Sequence, residues 1–130
     1  MMTIKPGEHG STFGGFPLAC RVATAALEVV TEEKLVEKAE SLGKIFREEM
    51  GNVKSPFIEL IRGKGLLNAI VVKPHNGKEA WDVCERMAEN GLIAKPTHKH
   101  IIRFAPPLVI TEEQLREAIA IIVKSFKELE

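Results

Sequence analysis

The residues best suited to chemistry lie in the first sixteen positions and again around position 103. Lys5-Pro-Gly-Glu-His-Gly-Ser-Thr-Phe-Gly-Gly, ending at Gly15, places Ser11 and Thr12 among four glycines, and Pro17 follows at once. Glycines let the backbone adopt positive φ and come close to a ligand. Short hydroxyls, loop amides and a helix N-terminus together form one wall of an anion or phosphate site. Gly-rich turns also occur where nothing binds, so the pattern gains meaning only from its company. Arg103, in Ile101-Ile102-Arg103-Phe104 with Pro106-Pro107 just beyond, is the second candidate. A guanidinium between aliphatic neighbours calls for an acidic partner, and its planar fork fits a carboxylate with two hydrogen bonds.

Other combinations are poorer. Arg62, Lys64 and the glycines beside them suit a hairpin turn with solvated charges better than an anion nest. His9, His75, His98 and His100 share no helical face and have no carboxylate at ligand spacing, so no metal site is expected. Ser11 near His9 lacks an orienting acid, which argues against a hydrolase. Cys20 and Cys84, both on predicted helices and without metal-ligand spacing, read as buried free thiols in a reducing compartment.

Composition sets the frame. The 130 residues suit one domain with a modest core. Eighteen basic and eighteen acidic side chains cancel, so no net field draws the chain to nucleic acid or an anionic membrane. Six Phe, one Trp and no Tyr offer little base stacking. No apolar run reaches a bilayer span, and no signal-peptide or targeting pattern opens the chain.

The elements that must position the candidates form an α/β pattern of the α+β type. Residues 1–16 form an extended lead-in. Pro17 suits a first helical position, and Leu18, Val22, Ala25, Ala26 and Val29 recur at helical spacing. Thr31-Glu32-Glu33 offers a fresh N-cap for a second stripe of Leu35, Ala39, Leu42, Ile45, Phe46 and Met50, continuous with the first or kinked near Thr31. Phe57–Arg62 and Leu66–Lys73 read as strands joined through Gly63-Lys64-Gly65, with a turn at Pro74–Gly77. Ala80, Val83, Cys84 and Met87 mark a short helix stopped by Gly91 at C′. Leu92–Lys95 and Ile101–Phe104 are two further strands. Thr111-Glu112-Glu113-Gln114 is a capping box opening a helix with Leu115, Ala118, Ile119, Ile122, Phe126 and Leu129 on its buried face. Helices on one face of a short, largely antiparallel sheet are expected.

Four segments carry a resemblance: Gly10-Ser-Thr-Phe-Gly-Gly15, Ile61-Arg-Gly-Lys-Gly-Leu-Leu-Asn-Ala-Ile70, Asn90-Gly-Leu-Ile-Ala-Lys-Pro-Thr-His98 and Ile101-Ile-Arg-Phe-Ala-Pro-Pro-Leu-Val-Ile110. In order and spacing they resemble the C-terminal third of the ornithine aminotransferases, a branch of the fold-type I, class III pyridoxal-phosphate aminotransferases. The resemblance covers nearly the whole chain. It implies a small C-terminal aminotransferase domain over residues 17–130, with residues 1–16 as a remnant of the cofactor-phosphate segment. Ser11 and Thr12 then match groups that contact the cofactor phosphate of the partner subunit, and Arg103 matches the arginine that holds the substrate carboxylate. The lysine that family members join to the cofactor, the aspartate at its pyridine nitrogen and the stacking aromatic lie upstream of residue 1. The chain alone is therefore expected to carry no catalytic residue and no transaminase activity.

The resemblance further implies a missing large domain, a homodimer or higher homo-oligomer in the parent enzyme, self-association of this chain, and a mitochondrial-matrix or cytoplasmic setting. The implied reaction converts ornithine and 2-oxoglutarate to glutamate semialdehyde, which closes to pyrroline-5-carboxylate, and glutamate. Acetylornithine or another class III ω-aminotransferase is the nearest alternative, and an isolated or redesigned non-catalytic α/β domain is a third. Phe16 departs from the family, whose members place Asn before the proline. As N-cap it cannot accept a helix amide, a loss of about 1 kcal/mol.

Overall fold

A computed structural model describes residues 3–130, which fall into two compact units, one ending at Leu35 and one spanning Val36–Glu130. The first unit holds the lead-in loop and α1 (Pro17–Glu32). Its helix begins at the proline, as the fixed φ of that ring favours. Phe16 caps it without any side-chain hydrogen bond, the consequence expected of an aromatic in that place. No residue of α1 is buried, and Cys20 is exposed rather than a core thiol. Thr31 is not an N-cap: it lies inside α1 and its hydroxyl donates to the Leu27 carbonyl at 2.9 Å. The break falls at Lys34, whose φ is 51°.

Beyond it, α2 runs over Leu35–Gly51, α3 over Ala80–Glu89 and α4 over Glu112–Lys127. Four antiparallel strands, β1 (Ile58–Lys64), β2 (Leu67–Val72), β3 (Lys95–Thr97) and β4 (Ile101–Phe104), lie in the order β1-β2-β4-β3. The three helices share one core with a single sheet face: Leu42, Phe46 and Met50 of α2, Val83 and Met87 of α3, and Ile119, Ile122 and Phe126 of α4 cover Ile70, Val72 and Ile102. Alternation along β2 buries Asn68, Ile70 and Val72 and leaves Ala69 and Val71 on the other side. The stripes expected for α2 and α4 and the helix-on-sheet arrangement are thus observed.

Helix ends follow their local chemistry. Thr111 Oγ1 accepts from the Gln114 amide at 3.2 Å while Gln114 Oε1 accepts from the Thr111 amide at 3.0 Å, the expected capping box. At α3, Glu79 and Asp82 make a second box that the sequence reading passed over. The Glu79 amide, aided by Lys78, holds the Asp82 carboxyl below its ordinary range, so this cap weakens as pH falls through that lowered value. Gly91 closes α3 with φ 99°, its amide donating to Ala88 and the Leu92 amide to Met87 at 2.8 Å.

That closure corrects one expected strand. Leu92 is committed to capping α3, so β3 starts only at Lys95 and Ile93 is 92% exposed. The β1–β2 connection is also tighter than expected. Gly63 and Lys64 pair with Asn68 and Leu67, and only Gly65 and Leu66 turn the chain. Gly65 does so with φ 54°, which an L side chain resists.

The β3–β4 loop stores strain. His98 and Lys99 have φ of 52° and 67° with no glycine between them. Lys99→Gly is expected to stabilise the chain by about 0.5–1 kcal/mol. A higher urea midpoint at unchanged slope is the measurement, and a lower one would contradict it.

Candidate functional site

Ser11 and Thr12 lie together in the first unit, in a loop shaped by short-range turns. The Gly14 amide donates to Ser11 O at 3.3 Å, the Phe16 amide to Phe13 O at 3.1 Å, and the Cys20 amide to Phe16 O at 2.9 Å, which opens α1. Both residues are exposed. Side chains placed on Gly10 or Gly15 would meet nothing within 4 Å, so the backbone on either side of the two hydroxyls is open to a ligand. A phosphate fits this arrangement of hydroxyls and free loop backbone.

Arg103 belongs to the other unit, on β4. Antiparallel register sets it directly opposite Ala69 of β2 and Lys95 of β3, while Ile102 faces Ile70 in the core. Its side chain therefore stands on the sheet face turned away from α2, α3 and α4. The acidic partner expected for it is not found: Arg103 is exposed and forms no ion pair among the described residues. Exposure to water removes the need for an internal counter-charge. Arg103 also borders a cleft of about 740 Å³ whose walls include Phe46, Leu66, Phe104, Pro106 and Ile110. Pro106 and Pro107 end β4 beside it, because a proline cannot donate to a continuing ladder.

A polar knot fixes the end of the sheet where Arg103 sits, and the sequence reading did not find it. Asn68, only 2% exposed, donates from Nδ2 to the Gly65 carbonyl at 3.1 Å. Arg47 of α2 donates from Nη1 to the same carbonyl at 3.0 Å and to Asn68 Oδ1 at 3.1 Å, and pairs with Glu40 at 3.5 Å. Asn68 is paired with Phe104, the residue after Arg103. Phe104 in turn meets Phe46 with ring centroids 5.5 Å apart. One signal was available: an amide at a core-facing position of an otherwise apolar strand. Its partner on α2 has no sequence signal at all.

The remaining groups offer no second centre. Among the described residues no cluster of His, Cys, Asp and Glu could hold a metal ion, and no helix is long and apolar enough to cross a membrane. Cys84 is buried, which pushes its thiol up to about 11 and keeps it protonated at neutral pH.

Comparison with known proteins now adds to the geometry. The family model described as aminotransferase class-III matches residues 1–126. The ornithine aminotransferase of Emericella nidulans is 57% identical over 131 residues, covering 99% of this chain and 29% of that protein. The mitochondrial ornithine aminotransferase of Rattus norvegicus is 57% identical over 125 residues, covering 96% of this chain and 28% of that protein. Among solved structures, acetylornithine aminotransferase from Elizabethkingia anophelis superposes with a TM-score of 0.87 at 58% identity, over 96% of this chain and 32% of that one. Ornithine aminotransferase from Toxoplasma gondii ME49 gives 0.84 at 49% identity, over 97% of this chain and 30% of that one. The chain spans less than a third of the length of the curated relatives it matches.

Proposed function

The chain belongs to the class III aminotransferases, and from that premise we propose that it supplies the C-terminal part of a pyridoxal-phosphate-dependent ornithine aminotransferase. The observation that carries this is identity of 57% to ornithine aminotransferases, sustained along nearly all of its length. The parent reaction moves the δ-amino group of ornithine to 2-oxoglutarate, giving glutamate and a semialdehyde that cyclises to pyrroline-5-carboxylate.

When bound, pyridoxal phosphate supplies the electron sink for amino-group transfer. The residues here fit only its phosphate end. Ser11 and Thr12 would hold that phosphate with their hydroxyls and adjoining amides, on behalf of a partner subunit. Arg103, exposed and without an ion pair among the described residues, binds the substrate carboxylate through its two-pronged guanidinium and orients the chain of the substrate. The chain by itself then binds and orients but transfers nothing.

Arg103→Lys in the longer protein tests this. The charge survives and the fork is lost, so the 2-oxoglutarate half-reaction should lose about 1–3 kcal/mol of transition-state stabilisation, with a smaller loss for ornithine. Equal losses in both half-reactions would make Arg103 structural. In the same assay the 130-residue chain, supplied with cofactor and both substrates, is expected to form no pyrroline-5-carboxylate.

Preference for acetylornithine is the second reading, favoured by the 58% identity to the Elizabethkingia enzyme. Relative kcat/KM of the longer protein on the two amines separates them.

Association with a second copy belongs to the same proposal. Leu18 and Val22 on α1 are 65% and 61% exposed, an apolar stripe that favours burial. Sedimentation is expected to show mass rising with concentration, and a monomer throughout the high-micromolar range would refute it.

A further inference from the structure

Asn76 and Asn90 are each followed by glycine, the neighbour that least hinders attack of its own main-chain nitrogen on the asparagine amide. A Cβ on either glycine would meet nothing within 4 Å, so steric room does not tell the two pairs apart. Hydrogen bonding does. Asn90 is the C-cap of α3, and its Nδ2 donates to Ser125 Oγ and to Glu128 Oε2, both at 3.0 Å. Its Oδ1 accepts from Lys124 Nζ at 2.7 Å, and the Gly91 amide donates to Ala88 O at 3.0 Å. The nitrogen that would attack and the amide it would attack are therefore both held, the latter between α3 and α4.

The Asn76–Gly77 pair is held far less. Both residues are exposed, and with φ of 50° and 72° they form the two-residue turn between His75 and Lys78. Two backbone bonds close it, from the His75 amide to Lys78 O at 3.0 Å and from the Lys78 amide to His75 O at 2.8 Å. They make an isolated bridge outside the four-stranded sheet, and so short a ladder opens at small cost. The Gly77 amide has no hydrogen-bond partner among the described residues, and Asn76 Nδ2 has a single acceptor, the backbone oxygen of Glu130 at 3.1 Å.

We propose that Asn76 is a site of spontaneous deamidation to aspartyl and isoaspartyl residues, and that the fold confines this chemistry to Asn76 by locking Asn90. Once the turn opens, rotation about the Asn76 main chain and side chain brings the Gly77 nitrogen to Cγ. That nitrogen gives its proton to a solvent base and bonds to Cγ. The Cγ–Nδ2 bond breaks, and the amide nitrogen takes a proton from water and leaves as ammonia. Water then opens the five-membered imide without any change of oxidation state. Cleavage of the new N–Cγ bond gives an aspartyl residue in an ordinary backbone. Cleavage of the original main-chain N–C bond gives an isoaspartyl residue, whose backbone is one carbon longer. Either product exchanges an amide donor for a carboxylate and loses the bond to Glu130. The isoaspartyl form also lengthens a two-residue turn and so disfavours the His75–Lys78 bridge.

The test is incubation of the 130-residue chain at mildly alkaline pH, in native buffer and in parallel in concentrated urea. Peptide mass mapping follows each asparagine through a gain of about 1 Da, and an aspartate-specific protease separates aspartyl from isoaspartyl products. In native buffer Asn76 should convert, with isoaspartyl among the products, while Asn90 stays intact. In urea the lock on Asn90 is gone, and the two should convert at comparable rates. Asn90 reacting as fast as Asn76 in native buffer would overturn the proposal, since the fold would then select nothing. Asn76 intact in native buffer but converting in urea would show that the turn protects it too, and would also overturn it. Conversion of neither residue in urea would overturn the chemistry itself.

Discussion

Gly43→Ala is expected to destabilise the chain by about 3 kcal/mol, the upper part of the usual range for overpacking. Gly43 is buried in α2, and a Cβ there would fall on the carbonyl of Gly65 in the β1–β2 turn. The obstacle is backbone, held from two sides, since the same carbonyl accepts hydrogen bonds from Arg47 and Asn68. No rotamer change relieves it; either α2 lifts from the turn or the turn opens and breaks the Arg47–Asn68 contacts. Urea denaturation followed by circular dichroism measures the loss as a lower midpoint at unchanged slope. Gly51→Ala, at the end of the same helix with nothing within 4 Å of the added carbon, is the control and should stay within about 0.5 kcal/mol. Equal effects at the two positions would show that helix propensity, and not the approach to Gly65, governs Gly43.

Phe126→Ala is expected to cost about 3–5 kcal/mol, a large part of the roughly 5–15 kcal/mol that stabilises a typical domain. The ring is fully buried at the C-terminal end of α4 and lies 6.1 Å from that of Phe57, which precedes β1. Phe57 is itself buried and meets His75 edge-on at 5.3 Å. Truncation would leave a cavity between a helix end and the root of the hairpin, two elements that cannot close on it independently. Calorimetric unfolding is the measurement. Adding Phe57→Ala should cost less than the sum of the two single changes, because the lost ring contact is shared. Strict additivity would mean that the two rings do not act as one packing unit.

These two residues mark how far the sequence could be read. Phe126 belongs to a stripe with Leu115, Ile119 and Ile122, and burial follows from its 3.6-residue period alone. The same holds for Leu42, Phe46 and Met50 on α2, for the Thr111–Gln114 box and for the Gly91 stop, since each depends on residues within one or two turns. Local rules failed where another demand on the same atoms intervened. Thr31 bonds back to Leu27 instead of capping α2, and Leu92 closes α3 instead of extending β3. Cys20 has helical spacing but no surface to bury it among the described residues of α1.

The candidate site divides in the same way. Residue type and neighbours singled out Ser11, Thr12 and Arg103, because a hydroxyl among glycines and a guanidinium among aliphatics are visible within a few positions. Pairing is not. Arg103 gains Ala69 and Lys95 as neighbours only when the order β1-β2-β4-β3 is set, and Arg47 gains its partners only when α2 crosses the hairpin turn. The sequence by itself determined which segments are helix or strand, which faces they bury and which side chains can bind an anion, all through hydrogen bonds and burial over short separations. Tertiary structure alone decided the pairing of β2 with β4 and the contact between Gly43 and Gly65, because these join residues about 20 to 40 positions apart, where chain closure and the shape of the packed surfaces select one register among many.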